Sequence, residues 1–251
     1  MVNPTPVVTP LSLPWTKIDL IGLRWRKIVQ FVMAGDKQTL IYRGRERQSV
    51  LTALDSDLNL RALLIRASEI GAAFTAHALP DPAVASIGAE IETGSFERLP
   101  EQTGPYGVRE DAELLRIPPD DTMRYPTVVR LRADLTHLVH QHGGGLAGLD
   151  TWEPNDVAAM RYRAGSFGIT PHRDSKRYRG LIAIFTTEGS APFTFCANRE
   201  GDIIDKWTAA PGSLVLMRGT GLNGAENRPF HAVAGPTTGS RVSLTFRMSD
   251  R

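Results

Sequence analysis

A chain of 251 residues, 41% hydrophobic and 22% charged, has room for one large domain or two small ones and the composition of an ordinary folded protein. Its net charge of +2 is too small to argue by itself for nucleic acid, and the single cysteine, Cys196, excludes an internal disulfide. The N-terminus lacks the basic region and apolar run of a secretory signal, and no stretch approaches about eighteen uncharged apolar residues, so a cytoplasmic protein with no membrane span is expected.

Charge is spread unevenly. Residues 1–47 hold eight Lys/Arg against three Asp/Glu, whereas residues 80–121 hold ten acids against three arginines. Solubility alone is the plainest use of such a split, ahead of internal packing or a partner surface.

In chain order, residues 1–15 form an irregular tail, broken by Pro4, Pro6, Pro10 and Pro14. Two apolar runs between Lys27 and Tyr42 flank Ala-Gly-Asp-Lys and read as a β-hairpin. A helix is expected from Leu58 to Phe74, capped by Asp57, with Leu60, Leu63, Leu64, Ala67, Ile70 and Phe74 on one stripe. Asp81-Pro82 opens a second helix that Gly94 closes. Residues 95–125 show no clear period and hold several prolines, which makes them the candidate for a substrate-covering segment. A third helix runs from Pro126 to His142, with Val128, Leu131, Leu135 and Leu138 inward and Gly143-Gly144-Gly145 at its end. His137, His140 and His142 on this helix lack a carboxylate or cysteine placed to complete a metal site and read as solvated.

After the triple glycine come eight short strands: Asp156–Tyr162, Ile169–Asp174, Leu181–Thr186, Pro192–Cys196, Ile203–Trp207, Ser213–Met217, Pro229–Val233 and Arg241–Met248. Turn residues separate them, as in a sandwich or barrel of jelly-roll type, and the amphipathic helices upstream are its natural cover. The fold class expected is therefore mostly β with flanking α-helices. Residues 16–150 would supply a hairpin and helices packing on a core formed by residues 151–251, in one compact domain overall.

The chemistry concentrates in two stretches. In Tyr-Arg-Ala-Gly-Ser-Phe-Gly-Ile-Thr-Pro-His-Arg-Asp, residues 162–174, extended backbone puts His172 and Asp174 on one side, where both can grip one metal ion. His231 is the candidate third ligand and would complete a 2-His-1-carboxylate set with open positions on the metal. Beside Pro229 and Phe230 it could equally be a structural histidine, and its distance from Arg241 is what favours the metal. In Arg-Val-Ser-Leu-Thr-Phe-Arg, residues 241–247, the guanidinium of Arg241 could clamp a carboxylate by two parallel hydrogen bonds, with Ser243 and Arg247 on the same strand face. Arg173, Lys176, Arg177 and Arg179 follow the metal motif directly. They could bind an anionic substrate, although a solvated loop is the plainer reading. Trp152 and Asn155 could line the entrance, with a core plug the plainer role for Trp152.

The order His-x-Asp, about sixty residues, His, then Arg-x-Ser resembles the Fe(II)- and 2-oxoglutarate-dependent dioxygenases over roughly the C-terminal hundred residues. The resemblance implies a double-stranded β-helix core, jelly-roll and cupin-like, using Fe(II), 2-oxoglutarate and O₂ and releasing succinate and CO₂. It implies His172, Asp174 and His231 as iron ligands. Arg241 and Ser243 would lie at the distal carboxylate of 2-oxoglutarate, Arg247 at its C1 end, and Tyr162 would bond the co-substrate or serve as an interfacial core tyrosine. Asn155 to Gly165 together with Arg241 to Arg247 is similar to the AlkB nucleic-acid dealkylases, but Met160 and Ser243 depart from their pattern. The reading favoured is hydroxylation of a small-molecule substrate, ahead of oxidative demethylation of alkylated nucleic acid and of a non-catalytic ligand-binding barrel. Arg173 and Trp152 are the candidate substrate contacts.

Overall fold

The computed structural model describes residues 30–34, 37–41, 52–103 and 106–250. Two compact units divide the chain, Met1–Leu51 and Thr52–Arg251. In the first, β1 (Gln30–Ala34) and β2 (Lys37–Ile41) pair antiparallel, with Ala34 opposite Lys37, as the hairpin pattern expects. The tail expected over residues 1–15 lies outside the described residues. The three helices all belong to the second unit.

The second unit opens with α1 (Leu60–Ile70). The expected helix over 58–74 is too long by a turn at its C-terminal end. Gly71 adopts φ 110°, a left-handed stop, and the chain turns into β3 (Ala72–Thr75), which carries Phe74. The cap is Asn59, whose side chain accepts from the Ala62 amide at 3.1 Å, and not Asp57. Helix α2 (Asp81–Glu92) has Asp81 in its first turn and Pro80 at the cap. Its Glu90 accepts from the Thr127 and Val128 amides at 2.8–3.1 Å, so α2 caps the otherwise bare start of α3 (Pro126–His142).

Between these helices lie β4 (Glu97–Arg98), β5 (Gln102–Thr103), β6 (Val108–Arg109) and β7 (Glu113–Ile117). The stretch read as a long loop thus contains a strand of the main sheet. Its pattern hides the strand because β7 carries leucines on both faces. Leu115 and Ile117 enter the core while Leu114 and Arg116 line a cavity, so apolar and polar residues do not alternate.

The remaining strands are β8 (Asp156–Arg163), β9 (Ile169–His172), β10 (Tyr178–Glu188), β11 (Ala191–Cys196), β12 (Ile203–Ala209), β13 (Leu214–Arg218), β14 (Phe230–Val233) and β15 (Ser240–Ser249), matching the eight expected within a few residues. They form a seven-stranded sheet, β3-β13-β10-β15-β8-β7-β4, and a four-stranded one, β12-β11-β14-β9. All the pairings are antiparallel.

Period two sorts the large sheet into two functions. Val157 and Ala159 of β8, Leu181, Ala183 and Phe185 of β10, and Val242, Leu244 and Phe246 of β15 pack against Leu64, Ile87, Leu131 and Leu135 of the helices. The intervening residues face the small sheet, where Phe193, Phe195 and Val233 close a second apolar cluster with Tyr162, Ile182 and Met217. The helices therefore back the sheet whose other face carries the polar residues described next. Among the described residues no helix is long and apolar enough to cross a membrane.

Candidate functional site

His172 ends β9 and pairs directly with His231 on β14. The strand stops there, two residues short of the expected end, yet Asp174 still projects to the same place. One ligand atom from each of His172, Asp174 and His231 lies within 4.8 Å of the others. The imidazole centroids are 4.2 Å apart, and His172 Nε2 is 3.9 Å from Asp174 Oδ1.

Hydrogen bonding selects the tautomers. His172 Nδ1 lies 3.0 Å from the Thr170 carbonyl oxygen and His231 Nδ1 lies 3.5 Å from that of Pro229. A carbonyl can only accept, so each Nδ1 carries a proton and each Nε2 is the nitrogen turned to the shared cluster. Phe193 stacks on the His231 ring at 5.5 Å and 5°. Burial, reinforced by the neighbouring His172, pulls the His231 pKa down to about 3, so it is a neutral donor at physiological pH. Burial works against ionisation of Asp174, but His231, Arg247, His172 and Arg228 together hold its carboxyl below the ordinary value. Two imidazoles and one carboxylate suit iron(II), and they come from only two chain segments.

Behind this cluster, alternate residues of β15 face a cavity of about 890 Å³, with Arg241, Ser243, Thr245 and Arg247 in its wall. Arg241 is 1% exposed. Its Nη2 donates to Thr186 Oγ1 at 3.1 Å, its Nε has no partner, and no carboxylate pairs with it among the described residues. A buried guanidinium is normally paired, so this one fits a carboxylate brought in by a ligand. Arg247 differs. Its Nη1 donates to the Tyr178 hydroxyl at 3.1 Å and its Nε lies 3.7 Å from Asp156 Oδ1.

Tyr162 stands opposite Arg241 in the β8–β15 register, 4% exposed, with the Arg241 guanidinium 6.0 Å over its ring. Its hydroxyl donates to Glu110 Oε1 at 3.5 Å. Burial, and next the charge of Glu110, raise the phenol pKa, so the hydroxyl stays protonated. Nothing in the sequence marks Glu110, a lone acid in a stretch without period. Its segment is docked on β9: the Arg109 amide donates to Thr170 Oγ1 at 3.0 Å, and Glu110 itself forms a bridge with Ile169. Burial above all raises the Glu110 pKa, against the lowering effect of its Tyr162 bond.

Arg173 and Lys176 also line the cavity, both exposed. The Arg173 guanidinium lies 4.0 Å over the Phe230 ring. Arg177 lies 3.5 Å from Asp156 and Arg179 3.4 Å from Asp250, so half of the basic cluster is neutralised internally. Trp152 does not line the cavity. It is fully buried in the helix–sheet core, and its indole donates to the Leu181 carbonyl at 2.8 Å. Asn155 is likewise structural, exchanging two hydrogen bonds with the Ser249 backbone. His140 bonds the Trp152 carbonyl at 2.9 Å, away from any metal cluster.

No protein-family model and no curated protein matches the chain. Solved structures do. A prolyl-4-hydroxylase from Pseudomonas putida aligns at TM-score 0.54 and 19% identity, over 76% of this chain and 99% of that one. A prolyl hydroxylase from Trichoplax adhaerens, solved with a hypoxia inducible factor peptide fragment, aligns at 0.55 and 10%, over 76% and 89%. An oxidoreductase of the 2OG-Fe(II) oxygenase family from Burkholderia pseudomallei aligns at 0.53 and 16%, over 77% and 92%. Two facing antiparallel sheets with three helices behind the larger one are thus the jelly-roll fold of the 2-oxoglutarate–iron(II) oxygenases.

Proposed function

We propose that the chain is an Fe(II)- and 2-oxoglutarate-dependent oxygenase that hydroxylates a small-molecule substrate. His172, Asp174 and His231 hold the metal. Arg241, aided by Ser243 and Tyr162, takes the distal carboxylate of 2-oxoglutarate, and Arg247 faces its C1 end. The observation that carries the assignment is Arg241: a fully buried cation without a carboxylate, in the wall of the cavity that also holds a three-ligand cluster. When bound there, iron and 2-oxoglutarate supply the oxidising chemistry, with O₂ consumed, succinate and CO₂ released and one oxygen atom delivered to a substrate C–H bond.

The chain's own residues orient and protect. Backbone carbonyls of Thr170 and Pro229 fix the imidazole tautomers, Phe193 and the small sheet exclude water from His231, and Thr186 aims the Arg241 fork. The direct test is succinate formation by purified protein given Fe(II), ascorbate and 2-oxoglutarate, screened over amino acids, lipids, terpenoids and methylated nucleobases. Asp174→Ala is expected to abolish hydroxylation while the circular dichroism spectrum is retained; hydroxylation that persists takes Asp174 out of the metal site.

The exposed cations Arg173 and Lys176 at the cavity support a second reading, oxidative demethylation of alkylated nucleic acid. It predicts binding of single-stranded DNA or RNA that weakens steeply as salt rises. Salt-independent or absent binding disposes of it.

A further inference from the structure

Once a metal and a keto-diacid are assigned, the charges left in the cavity wall are few. Asp174 goes to the metal and Arg241 to the diacid; Arg247 and Arg177 share Asp156. Arg228 donates to the Asp174 backbone carbonyl. What remains inside is one acid. Glu110 is 9% exposed, and its only side-chain bond is the long one from Tyr162, 3.5 Å. It has no cationic partner within ion-pair distance among the described residues, although a buried carboxyl ordinarily takes two or more good donors. The residual cations are Arg116, Arg173 and Lys176, all exposed and none in an ion pair among the described residues. Half-buried Leu99, Val108 and Ile169 share the same wall.

An unpaired acid in the interior, unpaired cations where the cavity meets solvent, and an apolar surface in the same wall match a small amphipathic zwitterion. We infer that the substrate is a free α-amino acid with an aliphatic side chain, its ammonium paired with Glu110 and its carboxylate met by Arg173 and Lys176. This rests on the oxygenase reading above and names the substrate class for the same site. Glu110 becomes a specificity-determining residue. A neutral or N-acylated substrate would leave its carboxyl buried without a cationic partner, held only by the long bond from Tyr162, and a charged group set against a site that does not pair it is rejected strongly.

The test uses the full chain loaded with Mn(II) and 2-oxoglutarate, so that binding is read by calorimetry without turnover. The twenty free amino acids are titrated, each tight binder then being compared with its N-acetyl and methyl-ester derivatives. At least one aliphatic amino acid is expected to bind, with each derivative weakened tenfold or more. Glu110→Gln should weaken the free acid tenfold and leave the N-acetyl derivative unchanged, whereas Arg173→Ala combined with Lys176→Ala should weaken the free acid and spare the ester. Because the derivatives are compared on the wild-type protein, the result stands even if a variant folds poorly. N-acetyl derivatives that bind as well as the free acids overturn the inference. So does a panel in which no amino acid binds although 2-oxoglutarate does, in an Arg241-dependent manner. If 2-oxoglutarate itself fails to bind, the oxygenase reading falls together with the inference.

Discussion

Holding a guanidinium at 1% exposure with one hydroxyl for company, as Arg241 is held, costs folding free energy that a purely structural residue would have no reason to spend. Replacing it with an apolar side chain of similar length is therefore expected to help the empty protein and harm the loaded one. Arg241→Met should leave the melting temperature of the ligand-free protein unchanged or raised. It should also weaken 2-oxoglutarate binding about a hundredfold, the scale of losing a bidentate charge-assisted pair. Calorimetric titration and scanning calorimetry on the same samples decide it, and undiminished affinity would detach Arg241 from the co-substrate. Glu110 makes the complementary case with an acid. Its folded pKa lies above the ordinary 4.5, so between the two values the native state holds more protons than the unfolded chain. Stability contributed by its protonated form is thus lost as pH rises through the folded value. In metal-free protein Glu110→Gln should match wild type in melting temperature below pH 4.5 and gain on it as pH rises; a difference that ignores pH rules out the buried carboxyl as its source.

Among the elements, β9 and β14 matter most, because their register alone sets the two histidines side by side. Gly168 anchors it. At φ +83° it occupies backbone space that L-residues avoid, and an added Cβ would collide with the Val233 carbonyl oxygen at the end of β14. Gly168→Ala should destabilise the protein by on the order of 2 kcal/mol, from strain plus a shifted strand. Because the shift moves His172 against His231, Co(II) affinity followed by visible absorption should drop at least tenfold. A variant of lowered stability but full metal affinity would show that the pair is positioned from elsewhere. The segment from β4 to β7 acts at the same scale. It brings Glu110 and Val108 to the cavity by docking on β9, and the paired Arg161 and Arg163 grip Glu113 at 2.7–3.0 Å to fasten β7 onto β8.

Over the whole second unit, one sheet serves two interiors. Its outer face is spent on helices, through Leu64, Leu131, Leu135 and Trp152, so that its inner face can stay polar without unfolding the protein. An inner face rich in buried, partly unpaired groups is stabilised by whatever pairs them. Mn(II) together with 2-oxoglutarate, each at about a hundredfold its dissociation constant, should raise the melting temperature by roughly 10–20 °C, since mass action at that excess contributes about 2.7 kcal/mol per ligand. Chelation by EDTA should reverse the gain. No shift with either ligand would mean that the cluster of His172, Asp174 and His231 does not hold a metal in solution.

Read as a linear pattern, the chain already declares its eight strands, α3, the His172–Asp174 pair and the arginine strand. Each of these is local: period two puts His172 beside Asp174 and aligns Arg241 with Ser243 and Arg247, whatever the strands pack against. The length of α1, the strand β7, the burial of Trp152 and the placing of Glu110 are decided by neighbours distant in sequence. A left-handed glycine ends α1 where β13 is waiting to pair with β3. Leucines on both faces erase the alternation that would have announced β7, and a single acid acquires its character only when β9 and Tyr162 take it out of water. Periodicity records which way a side chain points, but its solvation depends on what folding brings to the other side, and that is a property of the assembled sheets.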